Sequence, residues 1–199
     1  MRIIAGSLRG RRIFSVPKDM NVKPISARIR QSVFDILRPF VPGSTMLDLY
    51  AGVGTVGLEA LSRGSARVVF VEQAGLCVKS IEKNLVNLGV ADKARVLKAD
   101  VLGGLKWLEH HADYKGYDVI FLSPPYRDGE NLPLSYTSKT LELIAAGGIM
   151  GPGCIVVAQH HRNEKIEVPP GLSAFRREKY GDTLVDFLKE KAKIGGLEG

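Results

Sequence analysis

Short apolar runs alternate with longer amphipathic stretches through most of the chain, a pattern that predicts strand-then-helix units. Thr45 to Leu49 reads as a buried strand, and Gly57 to Arg63 opens a helix. Arg67 to Val71 predicts a second strand, followed by an amphipathic helix from Leu76 to Leu88. Ala94 to Lys98 is a third strand and Val101 to Glu109 a short helix. Val119 to Leu122, Thr137 to Ala145 and Cys154 to Gln159 continue as strand, helix and strand. Repeated units of this kind imply an α/β fold with a mostly parallel central sheet and helices on both faces. Two further short strands around Gly181-Asp182, between Arg176 and Lys189, predict an antiparallel closing edge.

Ahead of the first unit, RIIAGSLRGRRIFSV (residues 2–16) places two apolar pieces around a Gly/Arg segment. This predicts a β-hairpin with basic residues on its turn and outer face. Lys23-Pro24 marks a loop, because a residue before proline avoids the helical region. Ser26 is placed to cap a helix carrying Ile29, Val33, Phe34, Ile36 and Leu37, which Pro39, Pro42 and Gly43 end. The expected organisation is a basic hairpin extension over residues 1–20, one main domain over 21–190, and a disordered tail over 191–199. No internal repeat or low-complexity run interrupts it.

Composition narrows the function classes. With 45% hydrophobic and 25% charged residues, the 199-residue chain reads as a soluble globular protein that buries a core without disulfides or metals. The net charge of +7 favours a polyanionic partner. Two isolated cysteines, Cys77 and Cys154, point to a reducing compartment. No apolar segment follows the basic N-terminus as in a signal peptide, and none approaches the roughly 20 residues needed to cross a bilayer. The expected location is cytoplasmic, without membrane association. His110-His111 and His160-His161 are adjacent pairs without ligand spacing, so no metal is expected. Cys77 and Trp107 read as packing residues. No long apolar seam is left over, which favours a monomer.

Four motifs carry the chemistry. In LDLYAGVGTVGLEAL, Leu47 to Leu61, a buried strand turns through Tyr50, Ala51, Gly52 and Gly54 into a helix. Glycines there allow a tight turn and close approach to a ligand. Asp48 beside that turn suits a cationic ligand better than a pyrophosphate. Glu72-Gln73 ends the second strand about 20 residues on, where a carboxylate can bind the two ribose hydroxyls of an adenosine. Asp100, after the third strand, can accept from an adenine amino group or cap the segment that follows. Ser123-Pro124-Pro125-Tyr126 ends the fourth strand. Its prolines stiffen the loop and remove donors, leaving acceptors beside an aromatic ring, which suits a planar base bearing an NH2 group.

Together these motifs resemble class I S-adenosylmethionine-dependent methyltransferases, and SPPY resembles the signature of those acting on exocyclic amines. RIIAGSLRGRRI, KPISARIRQSVFDIL, LDLYAGVGTVGLEALSRGS, FLSPPY and KYGDT are similar, over nearly the whole chain, to the bacterial 16S rRNA guanine-N2 methyltransferase family (the D-type small-subunit enzyme). The resemblance implies a Rossmann-like methyltransferase domain that transfers a methyl from S-adenosylmethionine to N2 of a guanine in 16S rRNA, on an assembling small-subunit particle. It implies cofactor contacts from Asp48, Tyr50, Ala51, Gly52, Gly54, Glu72, Gln73 and Asp100. The target base falls to Ser123, Pro124, Pro125 and Tyr126, and RNA phosphates to Arg9, Arg11, Arg12, Lys23, Arg28 and Arg127. Three positions depart from the family: Ser123 replaces its usual Asp, Lys23-Pro24-Ile25 its Arg-Pro-Thr, and Gln31 its Glu. SPPY is also similar to the cytosine-N4 DNA methyltransferase signature, so a cytosine-N4 or adenine-N6 amino-methyltransferase is the alternative enzyme. A catalytically weak rRNA-binding assembly factor is the alternative outside catalysis.

Overall fold

The computed structural model describes residues 1–16, 25–126 and 134–191. Five strands, β1 (Thr45–Leu49), β2 (Arg67–Glu72), β3 (Ala94–Lys98), β4 (Tyr117–Leu122) and β5 (Met150–His161), pair in parallel. A hairpin of β6 (Leu172–Tyr180) and β7 (Thr183–Glu190) follows, with β7 antiparallel to β5. The strand order is β3-β2-β1-β4-β5-β7-β6. The chain runs outward from β1 to β3 and then returns to β4 on the other side of β1. This reversal opens a crevice at the carboxyl ends of β1 and β4.

Helices α1 (Ala27–Ile36), α2 (Thr55–Ser62), α3 (Gly75–Leu88) and α4 (Tyr136–Ala146) cover the sheet. Side-chain alternation along each strand builds two cores. Met46, Val68, Phe70, Val119, Phe121 and Val157 pack with Phe34 of α1, Leu58 of α2 and Ile81 of α3. Leu47, Leu49, Val69, Ile120 and Val156 pack with Leu108 and with Leu141 and Ile144 of α4. Burial on both faces is why these strands read as almost continuous apolar runs.

Local signals explain most element ends. The Ser26 Oγ accepts the Ile29 N–H at 3.2 Å and starts α1 as expected. Several boundaries shift by one to a few residues, and three differ for an evident reason. Helix α2 begins at Thr55, before Gly57, because Gly54 at φ 80° closes the turn directly onto it. The segment expected as a helix from Val101 to Glu109 is instead two 3₁₀ segments, Val101–Gly103 and Lys106–Ala112. Gly104 at φ 104° breaks it, a conformation outside the helical region. Strand β5 extends beyond Cys154–Gln159 at both ends, since β4 and β7 supply partners on its two sides out to Met150 and His161.

The N-terminal hairpin narrows to a single bridge, Arg2 opposite Arg12. Around it the Ile3 N–H donates to the Arg11 carbonyl at 3.0 Å and the Gly10 N–H to the Ile3 carbonyl at 2.9 Å. So short a ladder cannot hold itself, and the segment is held by docking. Ile3 and Ile13 enter the core shared by α1, α2 and α3. Fully buried Glu59 on α2 accepts the Ile4 N–H at 2.9 Å and the Ala5 N–H at 3.0 Å. The same carboxylate faces Arg63 Nε at 2.9 Å and Arg30 Nε at 3.4 Å, and Arg30 Nη2 donates to the Arg2 carbonyl at 2.7 Å. One charge thus ties the N-terminal segment and α1 to α2.

Removing one partner of such a cluster leaves a buried guanidinium uncompensated. Glu59→Ala is expected to lower the unfolding free energy by about 3–5 kcal/mol, read from urea denaturation. A midpoint unchanged from wild type would show that the cluster does not hold the fold.

Candidate cofactor and target-base site

The residues singled out at strand ends converge on the crevice. β1 delivers Asp48 and Tyr50, β2 delivers Glu72, and the turn between β1 and α2 lies between them. Asp48 is 1% exposed, and its Oδ2 accepts the Gly57 N–H in the first turn of α2 at 2.9 Å. Its carboxylate is therefore spent on holding the turn rather than lining open space. Burial pushes its pKa up to about 7; the Gly57 hydrogen bond opposes this and the negative Glu72 nearby adds to it. Glu72 is half-buried and grips the turn from β2: its Oε2 accepts the Gly52 N–H at 2.8 Å and its Oε1 the Ala74 N–H at 2.8 Å.

Packing makes the glycines obligatory here. A Cβ on Gly57 would lie 2.2 Å from the Phe70 ring, so only glycine lets α2 sit this close to β2. Tyr50 adopts φ 58°, a left-handed conformation uncommon for a tyrosine and one that collects at ligand-binding turns. Its hydroxyl shares a 2.8 Å hydrogen bond with Thr140 Oγ1 on α4, which holds the strained residue in place. Ala51 is half-buried and Gln73 is exposed at the rim. Asp100 is exposed, and its Oδ1 accepts the Leu102 N–H at 2.9 Å, so the capping role expected of it is present.

The Ser123-to-Tyr126 loop leaves the end of β4. Ser123 is half-buried, Pro124 buried, Pro125 exposed and Tyr126 half-buried. The Tyr126 hydroxyl accepts from Gln159 Nε2 at 2.9 Å, and its ring meets His161 edge-on with centroids 5.8 Å apart. Burial raises the Tyr126 pKa. Gln159 and His161 both come from β5. Sequence reasoning missed them, because nothing local in the chain links them to a loop more than 30 residues away.

Among the expected RNA contacts, Arg9, Arg11 and Arg12 are exposed on the N-terminal turn and Arg28 is exposed at the start of α1. Arg11 Nη2 also donates to the Asn87 carbonyl at 2.7 Å, which anchors the turn to the end of α3. Lys23 and Arg127 lie outside the described residues. Cys77 is buried in the core, as expected, and burial raises its pKa to about 11. His160 has a carboxylate partner that spacing did not reveal: Asp186 of β7 lies 3.2 Å from its Nε2 and is gripped by Arg177 at 2.6 and 2.8 Å. Among the described residues no group of His, Cys, Asp or Glu could hold a metal ion. No described helix is long and apolar enough to cross a membrane.

With this geometry in view, the chain matches over residues 1–189 the family described as Conserved hypothetical protein 95. The chain belongs to that family. It is 31% identical over 195 residues to a Bacillus subtilis protein named "Putative rRNA methyltransferase YlbH", covering 96% of this chain and all of the relative. It is 29% identical over 181 residues to "Ribosomal RNA small subunit methyltransferase D" of Escherichia coli, covering 90% of this chain and 84% of the relative. The solved structure of an Escherichia coli protein, "Putative methyltransferase yhhF", superposes with a TM-score of 0.78 at 26% identity, over 97% of this chain and 99% of that one. The family's fold is the Rossmann-like class I methyltransferase fold expected from the motifs.

The raised Asp48 pKa sets a pH dependence. Below about pH 4 Asp48 is neutral in both states. Between about 4 and 7 only the unfolded chain has lost the proton, so this group's contribution to stability falls as pH rises and levels off above about 7. Asp48→Asn keeps an acceptor for the Gly57 N–H. It is expected to flatten that decline in urea melts across the same range; an unchanged slope would remove Asp48 as its source.

Proposed function

We propose that the protein methylates an exocyclic amino group of rRNA, using S-adenosylmethionine, and that the target is N2 of a guanine in 16S rRNA, presented on small-subunit particles during assembly. The observation that carries this reading is the pairing of two unlike half-sites across β1 and β4. One is a glycine turn rimmed by carboxylates; the other is a proline-stiffened loop of neutral acceptors beside an aromatic ring. The names of the relatives favour rRNA, and a net charge of +7 agrees with it.

The cofactor half fits an adenosine-bearing cation. Its accessible groups are the half-buried main chain of Ala51 and Gly52, the Glu72 carboxylate and the exposed Asp100. Carboxylates in this position would repel a pyrophosphate and attract an ammonium or sulfonium. Gly52, Gly54 and the Tyr50–Ala51 main chain would hold the methionine part, Glu72 the ribose, and Asp100 with Gln73 the adenine side. Asp48 would act from beneath the turn by fixing Gly57. When bound, S-adenosylmethionine supplies an electrophilic methyl on a sulfonium.

The target half works by orientation. The lone pair of an exocyclic amine is delocalised into its ring and poorly available. The Ser123 hydroxyl and the Pro124 carbonyl accept its two N–H bonds, turn the lone pair outward and stabilise the positive charge that develops on nitrogen. Tyr126 supplies a face for an unstacked base. No side-chain base is needed before transfer, because the proton becomes acidic only afterwards and can leave to water. Arg9, Arg11, Arg12 and Arg28, with Lys23 and Arg127, would meet RNA phosphates.

The decisive test uses tritiated-methyl S-adenosylmethionine and small-subunit particles from cells lacking the enzyme, with the RNA digested to nucleosides. Label in N2-methylguanosine is expected. Label in N4-methylcytidine or N6-methyladenosine would replace the target, and no label would favour an assembly factor without catalysis. Ser123→Ala is expected to lower kcat about tenfold with cofactor affinity unchanged, and equal kcat would remove Ser123 from the mechanism. The double variant Arg9→Ala, Arg12→Ala is expected to reduce the slope of log affinity against log salt by about 1–2, and an unchanged slope would place the phosphates elsewhere.

A further inference from the structure

Strand β5 brings to the acceptor loop a polar side chain whose bonding is half complete. Gln159 is 6% exposed, yet no hydrophobic side chain was selected there. Its Nε2 donates to the Tyr126 hydroxyl at 2.9 Å, while its Oε1 is buried with no hydrogen-bond partner. Turning the amide over does not relieve this: Tyr126 could then donate to Oε1, but the Nε2 group would give up its acceptor and take the buried place where the oxygen now has no partner. A buried carbonyl left unpaired is costly, and native proteins rarely keep one without a use.

Its place in the sheet points to the use. Leu122 of β4 stands opposite Ala158 of β5, and Ser123 and Gln159 are the residues that follow them. By strand alternation the Gln159 side chain leaves the sheet on the face of Val157. Gln159 therefore ties Tyr126 to the strand beside the one that carries Ser123 at its end.

The amino bases differ at the ring nitrogen beside the exocyclic amine. In guanine, N1 next to the 2-amino group carries a hydrogen and donates. In adenine, N1 next to the 6-amino group is an acceptor, as is N3 next to the 4-amino group of cytosine. An acceptor fixed beside the amine site pairs with the first and faces a lone pair in the other two.

We propose that Gln159 is the specificity-determining residue, its Oε1 accepting the ring N1–H of guanine when the 2-amino group sits at Ser123. Its Nε2 at the same time keeps Tyr126 in place. This rests on the guanine reading above and explains how the neutral Ser123, which any amine would satisfy, is compatible with choice of base. A site built around a buried acceptor rejects analogues lacking the donor, because the acceptor is then left unpaired.

The test compares small-subunit particles reconstituted with guanine or with 2-aminopurine at the nucleotide that the labelling assay maps. 2-Aminopurine keeps the amine but has no hydrogen on N1. Wild type is expected to show kcat/KM about tenfold higher on guanine. Gln159→Leu should lower methylation of both, through the lost Tyr126 contact, but by about that factor more on guanine, so that the preference disappears, and it should melt no lower than wild type. Gln159→Glu, which keeps an acceptor, should retain the preference. If the leucine variant does not fold, Gln159→Met takes its place. Equal losses on both particles would mean that Gln159 only positions Tyr126, and no loss on either would give it no part; each overturns the proposal. A wild type that methylates no guanine overturns the guanine reading and this proposal with it, whereas guanine methylation with an unchanged preference in the leucine variant overturns this proposal alone.

Discussion

The site depends on a buried negative charge placed under a turn. Taking the Asp48 carboxylate out of water is costly, and a pKa pushed up to about 7 shows that the cost is only partly offset. What offsets it is a single charge-assisted bond from the Gly57 N–H, in the first turn of α2, where the positive end of the helix dipole adds to the attraction. Glu72 pulls on the same turn from the neighbouring strand through Gly52. The two carboxylates act on opposite ends of a six-residue stretch. They hold it in a conformation that includes left-handed Gly52 and Gly54 and follows directly on a left-handed Tyr50.

Helix α2 passes that constraint to the rest of the molecule. Its N-terminal end is fixed by Asp48, and its next turn carries Glu59, whose buried carboxylate gathers the N-terminal segment and α1. The exposed arginines of that segment are therefore referenced to the same helix as the cofactor turn. In the proposed reaction this matters, because RNA held by the N-terminal turn must present one base to within bonding distance of the acceptor loop. Errors of an ångström there cost catalysis heavily.

The acceptor loop is built differently. Its stiffness is covalent, from two prolines, and its aromatic ring is anchored from outside by β5. Replacing the family's Asp by Ser123 removes a charge from the target side and weakens the acceptor there by roughly half. It also spares a half-buried position the desolvation of a carboxylate.

Much of this was legible in the chain because it is encoded by neighbours. Strand β1 and strand β3 have the bounds that apolar runs predict, Ser26 caps α1, and the glycine turn and SPPY loop fall at strand ends where local patterning places them. The mostly parallel sheet followed from the β-then-α rhythm, and the antiparallel closing edge from the short strands around Gly181-Asp182; the strand order did not. What tertiary structure alone decided are the partnerships between distant residues. Local sequence offers Asp48 as a ligand to the cofactor, and only the fold shows that it also braces α2 through the Gly57 N–H. Gln159 and His161 look like the end of a buried strand until the sheet sets them beside Tyr126. Glu59 reads as one more helix glutamate until two arginines and two main-chain N–H groups close around it. The reason is physical: propensity and periodicity act over a few residues, whereas burial, and with it the strength of every polar contact, exists only once the sheet has assembled.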